Sequence, residues 1–401
     1  MIGPEEAMPP PGARLRVHAL VDNLRSGGAE FLLADFAQVA ATTGIELSVA
    51  ALNPIDAPSP AADRLRRLGF EPQAVPVTSM VNPRELRRVR AHLARLRPDL
   101  LHTHLITSDF LGGIAARSLG IPSVTTIHAD WFPVAGADRL RTWVSSRARR
   151  HCADTVIAVS ESARSAYLGE GRDVPTHVTV VRNGIVDRSR PGSGARLRQE
   201  LGLRDDALVI TALSKLRPEK NFEASIDAVA LLRDRFPQAR LVIVGDGPHE
   251  EAVRGYAARL GDAVLLLGHR EDAMELLDAS DVLVHPSHFD AFPTTLLEAM
   301  AARVPVVATG VGGILEIVEP DVTGILIAPP SSAEALAGPL GRLLEDSELR
   351  ARLGSSGRAR YEREFSAESW VRRVRGVYDR VLSAREGRPR RWTSGTPRAG
   401  S

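Results

Sequence analysis

Eleven short apolar runs, each of strand length, punctuate this chain of 401 residues, with segments of helical spacing between them. In the first half they fall at 17–21, 46–52, 99–103, 123–127 and 155–159. In the second they fall at 208–213, 241–244, 263–267, 281–284, 304–308 and 324–327. The runs are largely unbroken rather than alternating, the pattern of strands buried on both faces. Strands divided by helices build parallel sheets with helices on either side. A chain of this length exceeds what one core supports, so two such units are expected. The reading is an α/β protein of two Rossmann-like, doubly wound domains facing across a cleft. The Arg-, Pro-, Gly- and Ser-rich stretch 187–194 is the best linker, so the first domain is placed at 14–190 and the second at 191–368. A last helix at 369–384 is free to cross back. The Pro-rich start, 1–13, and the Arg-, Gly- and Pro-rich end, 385–401, are expected to be disordered.

Several classes are excluded early. A net charge of +2 gives no argument for a nucleic-acid partner. A single cysteine, Cys152, rules out an internal disulfide and a cysteine-built metal site. No apolar stretch reaches the length of a membrane span, and the start lacks the order of a signal peptide. A cytoplasmic location is the expectation.

The basic residues are unevenly chosen. Of 51 Lys and Arg, only two are lysines, and both lie in the hexapeptide Lys215-Leu-Arg-Pro-Glu-Lys220. An ammonium is a compact point charge on a flexible stem, whereas a guanidinium is a rigid planar fork. Two such charges five residues apart, just past the run 208–213, suit an anion clamp. Asn221 is expected to cap a helix over 222–235, which places the lysines on a strand-to-helix loop. Ligands of open α/β sheets bind at the carboxyl ends of the strands, where such loops lie.

Other loops add to this. Gly27-Gly28 follows the first run and opens a helix, where backbone amides favour an anion. Gly245-Asp-Gly-Pro248 ends another run and lets backbone approach a flat ligand such as a nucleobase. His128 stands just past the run 123–127, with His102 and His104 around a neighbouring strand end. In His285-Pro-Ser-His-Phe-Asp290-Ala-Phe-Pro-Thr-Thr-Leu-Leu-Glu298, two carboxylates lie eight positions apart. Asp290 falls in a loop and Glu298 about a turn into the next helix. The amides of Phe292, Thr294 and Thr295 lie at that helix start and can face an anion. The spacing Asp-x-Asp, which chelates a divalent ion on a sugar diphosphate, is absent from the chain.

Taken together these motifs resemble one family, the retaining glycosyltransferases of family four with the GT-B fold. The resemblance covers roughly residues 15–382. Ser214-Lys-Leu-Arg-Pro-Glu-Lys220 is similar to the family's Gly-Arg-Leu-x-Pro-Glu-Lys, and Asp290 to Glu298 to its E-x7-E motif. Gly27-Gly28, His128, Val181-Arg-Asn-Gly184, Gly245-Asp-Gly-Pro248 and Thr309-Gly-Val-Gly-Gly313 stand at its characteristic loops. Lys215 departs from the family's usual Arg, and Asp290 from its usual first Glu.

The resemblance implies transfer of a sugar from a nucleotide-diphosphate sugar to an acceptor hydroxyl, with anomeric retention and no obligatory metal or other cofactor. It implies catalytic or donor-contacting roles for His128, Lys215, Lys220, Asp290 and Glu298. Gly27, Gly28, Gly245, Phe292, Pro293, Thr294 and Glu298 are implied to hold the donor, with Glu298 on the ribose, Asp290 toward the transferred sugar and His128 on the acceptor side. The expected acceptor is a sugar, glycolipid or other aglycone in cell-surface polysaccharide, glycolipid or glycoside synthesis. The arginine-rich amphipathic segment carrying Arg84, Arg87, Arg88, Arg90, Arg95 and Arg97 raises contact with an anionic membrane surface. The alternatives are a catalytically weak nucleotide-sugar-binding partner subunit, or an epimerase or phosphorylase of the same architecture.

Overall fold

The computed structural model of the chain describes residues 14–386, apart from Ser26, Ala57, 129–136, Glu170 and Pro191. The expected disorder at 1–13 lies outside the described residues. So does the expected tail, save that Arg385 and Glu386 continue the last helix, Ala367–Glu386. The reason is local: Arg385 reaches the Asp154 carboxylate with two bonds of 2.8 Å, which anchors the final turn.

Two sheets organise the rest. The first comprises β1 (Leu15–Val21), β2 (Ile45–Ala51), β3 (Gln73–Ala74), β4 (Leu100–His104), β5 (Ser123–Ile127), β6 (Thr155–Ala158) and β7 (Val178–Val180), in the order β3-β2-β1-β4-β5-β6-β7. The second comprises β8 (Leu208–Leu213), β9 (Ala239–Val244), β10 (Val264–Leu266), β11 (Val282–His285), β12 (Val306–Thr309) and β13 (Gly324–Ile327), in the order β10-β9-β8-β11-β12-β13. Every pairing is parallel. Strand order reverses between β1 and β4 and again between β8 and β11. Ligands of such sheets settle in the crevice that these reversals open.

The strands form where the apolar runs fall because each side chain meets a helix layer on its own face. Val17, Leu20 and Leu101 of the first sheet and Ile210, Leu241 and Val284 of the second are at most 1% exposed. The polar exceptions in the first sheet are paired. His18 is wholly buried, its Nδ1 2.8 Å from the Ser48 hydroxyl and its Nε2 3.1 Å from Nε2 of His92.

The last helix does cross back. After the second domain, Ala367–Glu386 lies against helix Gly28–Ala40 of the first, with Trp370 edge-on to Phe36 at 5.5 Å. The Tyr378 hydroxyl sits 2.6 Å from Nδ1 of His102 on β4. Ile185, in the connection between the domains, exchanges backbone bonds with Phe365 and Ala367. Gly184 beside it has no room for a Cβ against the carbonyls of Phe365 and Ser366. The crossing and the connection are thus one packed joint.

Burial, with His92 adding a smaller push, drives the His18 pKa from an ordinary 6.5 down to about 3. The folded protein therefore binds its proton more weakly than the unfolded chain. That contribution to stability is complete above pH 6.5 and is lost as the pH falls toward 3. Between pH 5.5 and 4.5, wild type should lose about 1.3 kcal/mol per pH unit through this histidine. Denaturant unfolding of His18→Asn across that range should show a slope shallower by that amount. Parallel slopes would mean that His18 is hydrated in the native state.

Candidate active site

The carboxyl ends of five strands carry nearly all the residues singled out by sequence. After β1 come Asp22 and Gly27-Gly28. After β4 and β5 come His104 and His128. After β8 comes Ser214–Asn221, and after β11 the segment 286–293 leading into helix Thr294–Ala301. The first two groups belong to one domain and the last two to the other.

The lysine loop is held by backbone. The Gly245–Gly247 turn packs directly under it: Leu216 donates to the Asp246 carbonyl at 2.8 Å, and Ser214 to that of Val244 at 3.1 Å. A Cβ on Gly245 would overlap the Ser214 carbonyl, and one on Gly247 the Leu216 carbonyl. The two residues have φ of 140° and 159°. These glycines were expected to admit a nucleobase; in the structure their first partner is the lysine loop itself. Asn221 also differs from expectation. It has φ 54°, makes no side-chain cap, and the helix after it ends at Leu232 rather than Arg235. Its amide instead donates to the carbonyl and hydroxyl of Ser331, at 2.9 and 3.0 Å. Ser331 in turn donates to the Pro286 carbonyl at 2.7 Å. The Glu219 carbonyl accepts from the His288 amide at 2.8 Å. The lysine loop and the acidic loop are therefore stitched into one surface.

On that surface Lys220 Nζ lies 2.5 Å from Asp290 Oδ2. The same oxygen lies 3.0 Å from Nε2 of His285, which is 3% exposed. Burial alone raises the Asp290 pKa, but the His285 hydrogen bond and the Lys220 charge outweigh it and hold the carboxyl below its ordinary range. Burial lowers His285, which stays neutral despite Asp290. A neutral imidazole facing a carboxylate donates from Nε2, which fixes its tautomer. Asp290 was expected to face the transferred sugar; here its carboxylate first positions the ammonium of Lys220. His285 had been read as part of the segment and given no role.

The Thr309–Gly313 loop braces this carboxylate from behind. Gly313 donates to the Asp290 carbonyl at 3.0 Å, and neither Gly312 nor Gly313 could carry a Cβ against the carbonyls of Asp290 and Ala291. Phe292 is buried edge-on to Phe365, so only its backbone is available to a ligand. Pro293 sits at the N-cap position of helix Thr294–Ala301 with no side-chain cap, which leaves the Thr294 end of that helix to other partners.

Glu298 has surroundings that no spacing announced. Burial raises its pKa, with Arg188 and Arg64 pulling down and Asp35 pushing up. Asp35, on helix Gly28–Ala40, is 2% exposed and bound by Arg64 and, at 2.7 Å, by Arg188. Arg64 is on helix Pro60–Arg67 of the first domain and Arg188 on the connection. Glu298 thus lies where both domains and their joint converge. These three residues are far apart in sequence, and nothing in composition or periodicity linked them.

Across the cleft, His128 Nε2 is 3.1 Å from Nδ1 of His104, whose ring stacks at 4.2 Å on that of His102. Among the described residues no group of His, Cys, Asp and Glu is arranged to hold a metal ion. Asp22 at the end of β1 accepts from the amides of Thr107 and Ser108, at 3.0 and 2.7 Å, and so caps helix Ile106–Leu119. Lys215 lies close enough to Glu30 of the first domain to act on its charge.

Two parallel-sheet domains with facing carboxyl edges, lined by lysines, helix starts and a paired carboxylate, define a GT-B glycosyltransferase. The family comparisons agree. The model for glycosyl transferases group 1 matches residues 194–360, and that for glycosyltransferase family 4 matches residues 26–188. A D-inositol 3-phosphate glycosyltransferase of Acidothermus cellulolyticus is 32% identical over 310 residues, 72% of this chain and 68% of that one. The alpha-D-kanosaminyltransferase of Streptomyces kanamyceticus is 28% identical, over 72% and 79%. Anabaena HepE in complex with UDP-glucose superposes with a TM-score of 0.80 at 25% identity, over 92% of this chain and all of that one. WaaG, a glycosyltransferase involved in lipopolysaccharide biosynthesis, superposes with a TM-score of 0.70 at 21% identity, over 90% and 99%. The chain belongs to glycosyltransferase family 4.

Because Gly245 has a left-handed φ and no space for a Cβ, Gly245→Ala should cost about 1–3 kcal/mol of stability. It should also displace the lysine loop. Denaturant unfolding reads the first effect and loss of turnover the second. Wild-type values of both would show that the loop does not depend on this contact.

Proposed function

We propose that the enzyme transfers a sugar from a nucleotide-diphosphate sugar to an acceptor hydroxyl with retention of anomeric configuration, without an obligatory metal. The observation that carries this reading is the Lys220–Asp290–His285 cluster set beside Lys215 and the start of helix Thr294–Ala301. The kinship with enzymes named for glycosyl transfer, and a UDP-glucose complex of the same fold, support it.

As the bond from the anomeric carbon to the phosphate oxygen breaks, negative charge grows on the diphosphate. Lys220, held by Asp290, and Lys215 meet that charge without reorganising, which is where electrostatic catalysis gains most. The amides of Gly27, Gly28, Phe292 and Thr294 supply further donors. Glu298 holds the ribose hydroxyls. The acceptor oxygen attacks on the face that the diphosphate leaves, and its proton passes to the departing phosphate oxygen. His128 contacts the sugar from the acceptor side. The acceptor domain presents Arg84, Arg87, Arg88, Arg90, Arg95 and Arg97 to solvent around helix Pro83–Leu96. This exposed basic surface suits an anionic acceptor or membrane. No described helix is long and apolar enough to cross a membrane.

The test is a panel of nucleotide sugars and acceptors, with the anomeric configuration of the product read by NMR. Inverted product, or hydrolysis and epimerisation without transfer, would overturn the proposal.

Two variants separate the roles. Lys220→Ala should lower turnover by roughly 10²–10³, the loss typical of one electrostatic donor, and should also cost stability because Asp290 keeps only His285, so turnover is read below the variant's unfolding transition. Glu298→Gln should chiefly raise the apparent donor constant, because a ribose contact is made equally before and in the transition state. Lys220→Ala within threefold of wild type would remove the lysine from the mechanism.

Since the chain lacks Asp-x-Asp, transfer should also survive chelation. Activity lost in EDTA and restored by Mn²⁺ or Mg²⁺ would reveal an ion requirement.

A further inference from the structure

One charged group in the cleft has no task in the reaction just described. Glu30 is the third residue of helix Gly28–Ala40 and is only 8% exposed. Next to it the helix start is open: a Cβ on Gly28 would meet nothing within 4 Å. Glu30 is not turned outward into that space. Its carboxylate folds back over the first turn, so that a Cβ on Gly27 would run into Oε2. There burial raises its pKa above the ordinary range, while bonds to its own amide and to the Asn23 side chain and the charge of Lys215 from the opposite domain favour the carboxylate, and Asp22 beside it opposes it.

A carboxylate in that place occupies the same positive field that the donor diphosphate needs. The field has two sources, the amides at the helix start and the Lys215 ammonium. Two anions cannot share it without strong repulsion. Because Glu30 is tethered, it competes at a high effective concentration whatever the donor level.

We propose that Glu30 is a resident, displaceable anion of the donor site. In the donor-free enzyme it covers the helix start and faces Lys215; the donor diphosphate pushes it aside, and it returns as the product diphosphate leaves. This rests on the nucleotide-diphosphate reading above. Its consequence runs opposite to that of an ordinary binding residue: removing the charge tightens the nucleotide.

The experiment is calorimetric titration of wild type, Glu30→Gln and Glu30→Ala with UDP and with uridine. Gln keeps the shape and still serves a helix start, so folding is preserved. Both variants should bind UDP more tightly by roughly 5- to 150-fold, the range of ordinary site-to-site coupling. Uridine, which lacks the phosphates, should bind all three proteins alike. Glu251→Gln, an exposed carboxylate on the second domain, controls for net charge and should match wild type. Equal or weaker UDP binding in both folded Glu30 variants overturns the inference, as does a matching gain for uridine. If wild type binds neither UDP nor any other nucleoside diphosphate in a thermal-shift panel, the donor reading fails, and the inference falls with it.

Discussion

Backbone meets backbone in this cleft, and that contact is the constraint on which the site depends. Gly245 and Gly247 lie against the carbonyls of Ser214 and Leu216, and Gly312 and Gly313 against those of Asp290 and Ala291. Each pair supports one of the two charged loops from below. Parallel strands deliver loops to one edge of a sheet but leave their conformation open. The glycine pairs close that freedom by packing main chain on main chain, where no rotamer can give way. A charge mounted on such a loop needs little reorganisation when a ligand of opposite charge arrives.

The second requirement is that buried charges balance. Asp290 is shared by Lys220 and His285, and Asp35 by Arg64 and Arg188. Removing one member of such a group leaves an uncompensated charge in a poorly solvated place. The Asp35 group joins the first domain, the connection and the surroundings of Glu298, so electrostatics and domain placement are coupled there. The crossing helix adds the apolar half of that coupling through Trp370 on Phe36 and Tyr378 on His102. The relative position of the domains is therefore held by residues widely separated in sequence.

This explains what the sequence made legible. The apolar runs marked both sheets because a strand covered on two faces has no polar alternation to hide it. They missed β3, which has two residues, both exposed, and β7, whose three residues include Thr179. The lysines, Asp290 and Glu298 are legible as candidates because one chain segment carries each group. Asn221 was misread because local rules treat Asn before a helix as a cap, whereas Ser331, 110 positions away, claims its side chain. Arg64, Asp35 and Arg188 gave no signal because each looks like a solvated charge until the fold brings it to the others. Glu30 reads as an ordinary first-turn carboxylate until the structure shows Lys215 across from it.

The choice of lysine in so arginine-rich a chain then has a physical reason. Asp290 approaches Lys220 with a single oxygen, the one it also offers to His285. An ammonium has three donors, so one spent on Asp290 leaves two for the diphosphate of the proposed donor. A guanidinium at the same place would meet the carboxylate as a planar fork, two bonds to two oxygens. That geometry would draw Asp290 away from His285 and turn the cation's best face toward the protein instead of the ligand. Lys220 is anchored there without being saturated, by one oxygen atom that His285 also shares.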